Sequence, residues 1–384
     1  MESTVDRRRF LGLGAAACGV LAAGAVLPAL ARATSASPAG SPVAPPAAMD
    51  AVQAMTPQEM ADASPLAADS WRFLRETAAT LDNADVRAKV LAILDNPAPT
   101  LAVRLADPAI RAQVHAALAA RGMLKGQTVE GLVPPAADPA KAVQPFSCAP
   151  GSGYASHHAF PGGLVVHTAG NMRVTLGIFE GYKATYGFAL DRDTVIASQM
   201  LHDLHKPWVF AWEDSGASRA EQTLAGTGEH HVLSVAESML RGLPPAVVVA
   251  QACAHNHPGD AKDEAEVVGW ITGAALLAGL DPVAGGYLEK GGQTLPLPRR
   301  MEGFVCHLGD HDWVLTVPAG KWMIAALGDL ARERYGIADD TSKAFNQFRN
   351  YVFSQATMMG LYEAYASAGG DGLAKAVAAV VAPA

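Results

Sequence analysis

The sequence predicts an all-α protein, and three observations carry that prediction. Apolar residues recur at three- and four-residue spacing along most of the chain, Gly, Pro and Asp separate the periodic stretches, and no stretch shows sustained strand alternation with hairpin turns. A chain of 384 residues that is 50% hydrophobic and only 17% charged can bury a large core without disulfide staples, which excludes a disordered tail protein. Its formal charge of −8 argues against a protein that holds nucleic acid chiefly through Lys and Arg on phosphates.

The chain opens on an address. Arg7-Arg8-Arg9-Phe10-Leu11 lead into an Ala- and Gly-rich apolar run that ends at Leu30, and Ala31-Arg32-Ala33 follow. Paired arginines, a weakly hydrophobic core and an Ala-x-Ala site, in that order, resemble a twin-arginine export signal over residues 1–33. The resemblance implies the twin-arginine machinery as a partner, export of an already folded protein, a periplasmic or secreted destination, and no membrane span after cleavage. A retained anchor is the alternative, because a run of this length at about 1.5 Å per residue can cross a bilayer. Cleavage removes four arginines and two acids, which takes the charge from −8 to −10. It leaves Cys148, Cys253 and Cys306 with no Cys-x-x-Cys pair, and these read as small buried side chains.

Residues 34–66 are rich in Ala, Pro and Ser and read as a linker. A helical segment is expected over 67–140. Trp71, Leu74 and Ala78 share one helix face, Val90, Ile93 and Leu94 lie on a second helix that stops at Asn96-Pro97, and Asp107-Pro108 with Gly122 bracket a third. His115, inside that third helix, reads as structural. Further helices are expected near 163–181, 193–204, 230–241, 245–255, 263–279, 300–313, 319–334 and 342–367. The stretch from Asp281 to Arg300 is the long irregular segment, a short hairpin or a lid over a site.

Eleven of the 12 histidines lie between His157 and His311, and histidine is the commonest metal ligand. His167, the doublet His202-Asp203, His231, His255 and Asp310 each fall on or at the end of a different predicted helix. Their spacings of 35, 28, 24 and 55 residues are too long for a zinc finger and suit a metal site inside a helical bundle, where each helix contributes one or two inward side chains. Imidazoles and carboxylates favour Mn, Fe, Ni or Zn over Ca, without distinguishing among them. Lys206, three residues after Asp203 and four after His202, shares their helix face. His257 is an alternative to His255, and Asp312 to Asp310. His230 is expected to point away toward solvent or a supporting partner, and His307 to support Asp310. Trp208 and Trp212 either pack or line a pocket.

The run His157-His158-Ala159-Phe160-Pro161-Gly162-Gly163-Leu164-Val165-Val166-His167-Thr168, followed by Met200-Leu201-His202-Asp203-Leu204-His205-Lys206, resembles the opening of an HD-domain metal-dependent phosphohydrolase. The resemblance implies an HD-type helical bundle over 141–335 with additional N- and C-terminal helices, the latter over 336–384. It implies a metal held by His167, His202, Asp203 and Asp310, and a second ion held with His231 and His255. His205 stands where that family has Gly. The implied activity is hydrolysis of a nucleotide or other small phosphoester by a metal-activated water. Asp203 and Lys206 then act in catalysis, His157, His158 and Lys206 face the phosphate, and no stable nucleic-acid binding is expected. The same scaffold also hosts di-iron oxygenases of the myo-inositol oxygenase kind, and a non-catalytic metal- or ligand-binding module of the envelope is a third alternative.

Overall fold

Local caps decide where the helices begin and end. The computed structural model describes residues 45–154, 156–297 and 301–383, so the expected export signal and the first part of the expected linker lie outside the described residues. The elements run α1 (Met49–Ala54), α2 (Pro57–Asp62), α3 (Pro65–Ala79), α4 (Ala84–Asp95), α5 (Leu101–Arg104) and α6 (Pro108–Ala119), then α7 (Gly163–Tyr186), α8 (Arg192–Leu201) and α9 (Lys206–Val209). A two-stranded antiparallel hairpin, β1 (Thr223–Leu224) and β2 (Thr227–Gly228), precedes α10 (Glu229–Leu240), α11 (Pro245–Ala252), α12 (Ala261–Ala278), α13 (Met301–Gly309), α14 (Trp313–Arg334), α15 (Lys343–Ala356) and α16 (Met358–Ala378). The protein is predominantly all-α, as its periodicity predicts. Asp107 caps α6 by accepting from Ala109 and Ile110 with Pro108 in the first turn, and Asp191 caps α8 by accepting from Thr194.

Two apolar cores carry the packing. The first joins α3, α4, α6 to α8 and α10 to α12 around Leu74, Val90, Leu164, Ile196, Val248 and Ile271. The second joins α14 to α16 around Met323, Phe348, Phe353 and Val377, and it also takes Val52 and Met60. Each such side chain fully buried is worth about 1.5–3 kcal/mol relative to exposure. Cys148, Cys253 and Cys306 are free and buried in keeping with their small apolar character.

Three expectations need correction. The linker expected through residue 66 holds α1, α2 and the start of α3. Thr56 and Glu59 close a reciprocal capping box on α2, and Val52 and Met60 find an apolar face on the C-terminal helices, a partner invisible in a local Ala- and Pro-rich composition. The helix expected over 193–204 stops at Leu201, and His202 to His205 form a turn before α9. The described part of the irregular segment, through residue 297, does not line the main cavity described below. Tyr287, Leu288 and Leu295 bury in the first core, and the Leu295 amide donates to Glu264.

The turn before α7 is built on glycine. The amide of Gly151 donates to the His158 carbonyl at 2.8 Å, and His158 itself takes the left-handed conformation at φ 54°. A Cβ on Gly163 would stand 1.9 Å from the His158 carbonyl oxygen, so only glycine lets α7 start against this turn. Gly163→Ala is expected to destabilise the protein by about 1–3 kcal/mol, the usual cost of overpacking, and to lower the melting temperature. An unchanged melting curve would show that the turn has room to move.

Candidate metal centre

Five segments bring ligand atoms to one buried point. α7 supplies His167 on its second turn, the turn after α8 supplies His202 and Asp203, α10 opens with Glu229-His230-His231, His255 follows the end of α11, and Asp310 follows α13. His167 Nε2 and His202 Nε2 lie 3.1 and 3.0 Å from Asp203 Oδ2, and 3.2 and 3.4 Å from Asp310 Oδ1. The two Nε2 atoms are themselves 3.4 Å apart. Ligands at about 2.1 Å from one ion are separated by about 3.0 Å in octahedral and about 3.4 Å in tetrahedral geometry. The observed edges fall in that range.

The opposite oxygens of the same carboxylates face a second set. Asp203 Oδ1 lies 3.4 Å from His230 Nε2 and 3.5 Å from His255 Nε2, and Asp310 Oδ2 lies 3.5 Å from His255 Nε2. Both oxygens of Asp203 are buried, and the groups that compensate them are Lys206 and the surrounding histidine rings, as a site for cations requires. Histidines and aspartates in these positions can hold a metal ion. Supporting bonds set the tautomers. His202 Nδ1 donates to the Gln199 carbonyl at 2.8 Å, and His230 Nδ1 lies 2.7 Å from Glu221 Oε2, so each ring turns its Nε2 inward.

The expected ligands are brought together, with refinements. His167, His202, Asp203, His255 and Asp310 converge. His257 packs on Phe304 and His307, whereas His255 is the one of the two that reaches Asp203 and Asp310. Asp312 lies near His167 and Asp310 but makes none of the edges above. His230 does not point away as expected. It reaches Asp203, whereas His231 stacks on His255 with ring centroids 3.4 Å apart and bonds Thr227 Oγ1 through Nδ1. His231 therefore braces His255 while remaining in the group. The doublet hid a phase signal, because His230, Ser234 and Glu237 share a helix face and the latter two contact His205. Asn171 was also not foreseen; it bonds both His167 and Asp310 one turn along α7.

Charge follows the geometry. Burial alone would lower His202, but the charges of Asp203 and Asp310 hold its ring up to about 10. Burial would raise the Asp203 carboxyl, yet His202 and Lys206 hold it well below the usual carboxylate range. In the second set the two rings differ: burial lowers His255 to about 4, so that ring offers a lone pair at neutral pH, while in His230 burial is outweighed by Glu221 and Asp203, which hold it above the usual imidazole range. Lys206 reaches Asp203 Oδ2 at 2.5 Å and donates to the Gly151 carbonyl. Its ammonium is thus committed to the site's own groups.

A cavity of about 360 Å³ opens above these residues. His167, His230, His231, His255, Asp310 and Lys206 form its polar floor, Ser152, Gly153, Ser156 and His157 one wall, and Phe210, Glu221, Trp313 and Val317 the rest. His157 lines the cavity, and His158 joins it Nδ1 to Nδ1 at 2.9 Å. Trp208 and Trp212 pack, donating to the carbonyls of Pro135 and Cys148. His307 Nδ1 donates to the Ala254 carbonyl at 2.8 Å, and His115 Nε2 donates to the Gln127 carbonyl at 2.8 Å; both are structural. His205 turns away from the floor to Glu237 Oε2 at 3.2 Å.

Among curated proteins, the chain is similar to the dihydroneopterin 2',3'-cyclic phosphate phosphodiesterase of Methanocaldococcus jannaschii, 31% identical over 104 residues. The match covers 27% of this chain, and the chain spans about 40% of that relative's length. No family model and no solved structure matches. The buried His and Asp groups and this partial similarity fit a metal phosphohydrolase.

Two outcomes are expected from metal analysis. His202→Ala and Asp203→Asn should each strip bound metal, and His230→Ala should weaken the second set more than His231→Ala; the reverse order would return the ligand role to His231. Because His202 stays protonated up to about 10 in the metal-free site, an ion must expel that proton. Apparent affinity at the first set should therefore rise with pH, with proton release visible by calorimetry in buffers of different ionisation enthalpy.

Proposed function

We propose that the chain is an exported, binuclear metal-dependent phosphohydrolase acting on a nucleotide or another small phosphoester. The observation that carries this reading is the pair Asp203 and Asp310, each turning one carboxylate oxygen to each histidine set beneath an open cavity. Two divalent ions held there would supply an acidified water as nucleophile near neutral pH and neutralise charge on the phosphoryl oxygens. The printed activity of the relative, a phosphodiesterase, supports phosphodiesters as the first substrates to try.

The protein's own groups have definite tasks in this reading. His167, His202, His230 and His255 hold the ions through Nε2, and Asp203 and Asp310 bridge the two sets. Lys206 is expected to fix Asp203 and to supply positive charge at the floor, with no free ammonium for a distant phosphate. His157, in the wall and bonded to His158, is placed to meet the leaving group. Among the described residues Lys206 is the one Lys or Arg lining the cavity, and the whole chain is acidic at −8. Both features support a small substrate held by the ions over a long nucleic acid held by a basic surface.

The test is a panel of phosphomonoesters and phosphodiesters with protein loaded with Mn, Fe, Ni or Zn, run beside an oxygen electrode. Phosphodiester cleavage that disappears in His202→Ala together with the metal is expected. Oxygen consumption with no phosphoester cleaved would sink the hydrolase reading in favour of oxygenase chemistry. For export, replacing Arg8 and Arg9 by lysine is expected to hold the precursor in the cytoplasm; normal processing of that variant would remove the twin-arginine route.

A further inference from the structure

The helix α15 turns a polar face inward. Asn346, Arg349 and Asn350 are all buried at 3% exposure or less, where a helix of a globular protein ordinarily buries apolar residues. Arg349 is fully buried, and among the described residues no carboxylate pairs with it. Burial lowers its guanidinium to about 10, which still leaves it charged at neutral pH. A buried cation compensated by neutral acceptors is a costly choice for packing alone.

The bonds from this face go to two places. Arg349 donates to the Tyr154 carbonyl at 3.0 Å and the Ala159 carbonyl at 3.4 Å, and its guanidinium carbon sits 4.0 Å from the centre of the Tyr154 ring. The Tyr154 hydroxyl donates to Asn346 Oδ1 at 2.5 Å. Asn346 and Asn350 then donate to the carbonyls of Ser215 and Gly216 at 2.9 and 2.7 Å. The first segment contains Ser156 and His157 of the cavity wall. The second leads to Glu221, which also lines the cavity and bonds His230.

We infer that Arg349 is a positioning residue: with Asn346 and Asn350 it clamps the His157 turn and the segment leading to Glu221 at a fixed separation, so α15 sets the width of the cavity from behind. Arg349 touches no floor residue of the metal centre. The kinetic consequence rests on the phosphohydrolase reading, while the clamp itself is read from the geometry alone. A wall displaced by about 1 Å can cost up to about a hundredfold in rate.

The experiment uses the full chain loaded with Mn, comparing wild type, Arg349→Met and Arg349→Lys by bound metal per chain, by amide hydrogen exchange, and by kcat and KM for bis(p-nitrophenyl) phosphate. In Arg349→Met, metal content is expected to stay at the wild-type value. Exchange should quicken at least tenfold in 151–160 and 213–221 but not in α8 or α10, and kcat/KM should fall between ten- and a hundredfold. Arg349→Lys should recover part of both effects. Wild-type exchange in the two segments, or a loss of activity that only tracks the unfolded fraction, overturns the inference. If Arg349→Met does not fold, Asn346→Ala removes just the Tyr154 hydroxyl and Ser215 links, and unchanged exchange in both segments there overturns it equally. A wild-type protein that cleaves no phosphoester defeats the hydrolase reading, while the exchange comparison still decides the clamp.

Discussion

The fold is organised around one buried anion, the carboxylate of Asp203. It is 1% exposed and is surrounded by His167, His202, His230, His255 and Lys206. An isolated buried carboxylate costs several kcal/mol even after relaxation, so each element that approaches it must bring positive charge or a lone pair for a cation. Helices α7, α8, α10, α11 and α13 do so from separate directions. Removing any one of these groups leaves the remaining charges poorly compensated, which couples the metal centre to the packing of the first core.

A second buried acid holds that arrangement in register. Glu237 on α10 bonds His205 at 3.2 Å, the Leu101 amide at 3.0 Å, Thr100 and Arg241, and it is itself fully buried. Burial would raise its carboxyl, but the bonds from His205 and Thr100 and the Arg241 charge hold it down at about 2. Ser234, one turn earlier, accepts from the His205 amide at 3.1 Å. The turn that carries Asp203 is therefore tied to the helix that carries His230. A glycine at position 205 would lack the imidazole for that tie.

What the sequence disclosed and what it hid divide along physical lines. Local signals were legible: Asp107 and Pro108 mark α6 because caps act within one turn, and the ordered histidines mark the site because metal ligation restricts residue type. Partners distant in sequence were not legible. The short helices α1 and α2 depend on an apolar face from α14 to α16, so composition alone suggested a linker. His230 and His231 differ by about 100° around α10, and the choice between them depends on where the Asp203 turn lies. Breaking α8 at Leu201 lets His202 and Asp203 converge on one point, which a continued helix would place on diverging directions. The buried polar face of α15 has no local explanation at all, because Tyr154 and Gly216 lie far away in the chain.

The same separation in sequence bears on how such a site can be filled. Ligands between His167 and Asp310 approach one another only when five helical segments have packed, so an unfolded chain offers no preformed centre and ion binding becomes part of folding free energy. An ion acquired after folding would have to compete with the proton on His202 and with Lys206, both already at Asp203. An ion acquired during folding meets the same carboxylate before those contacts close. On this reading the acidic surface and the dense histidine cluster are two parts of one arrangement: the positive charge that a phosphoester needs is concentrated at the buried centre, and little is left for the rest of the molecule to supply.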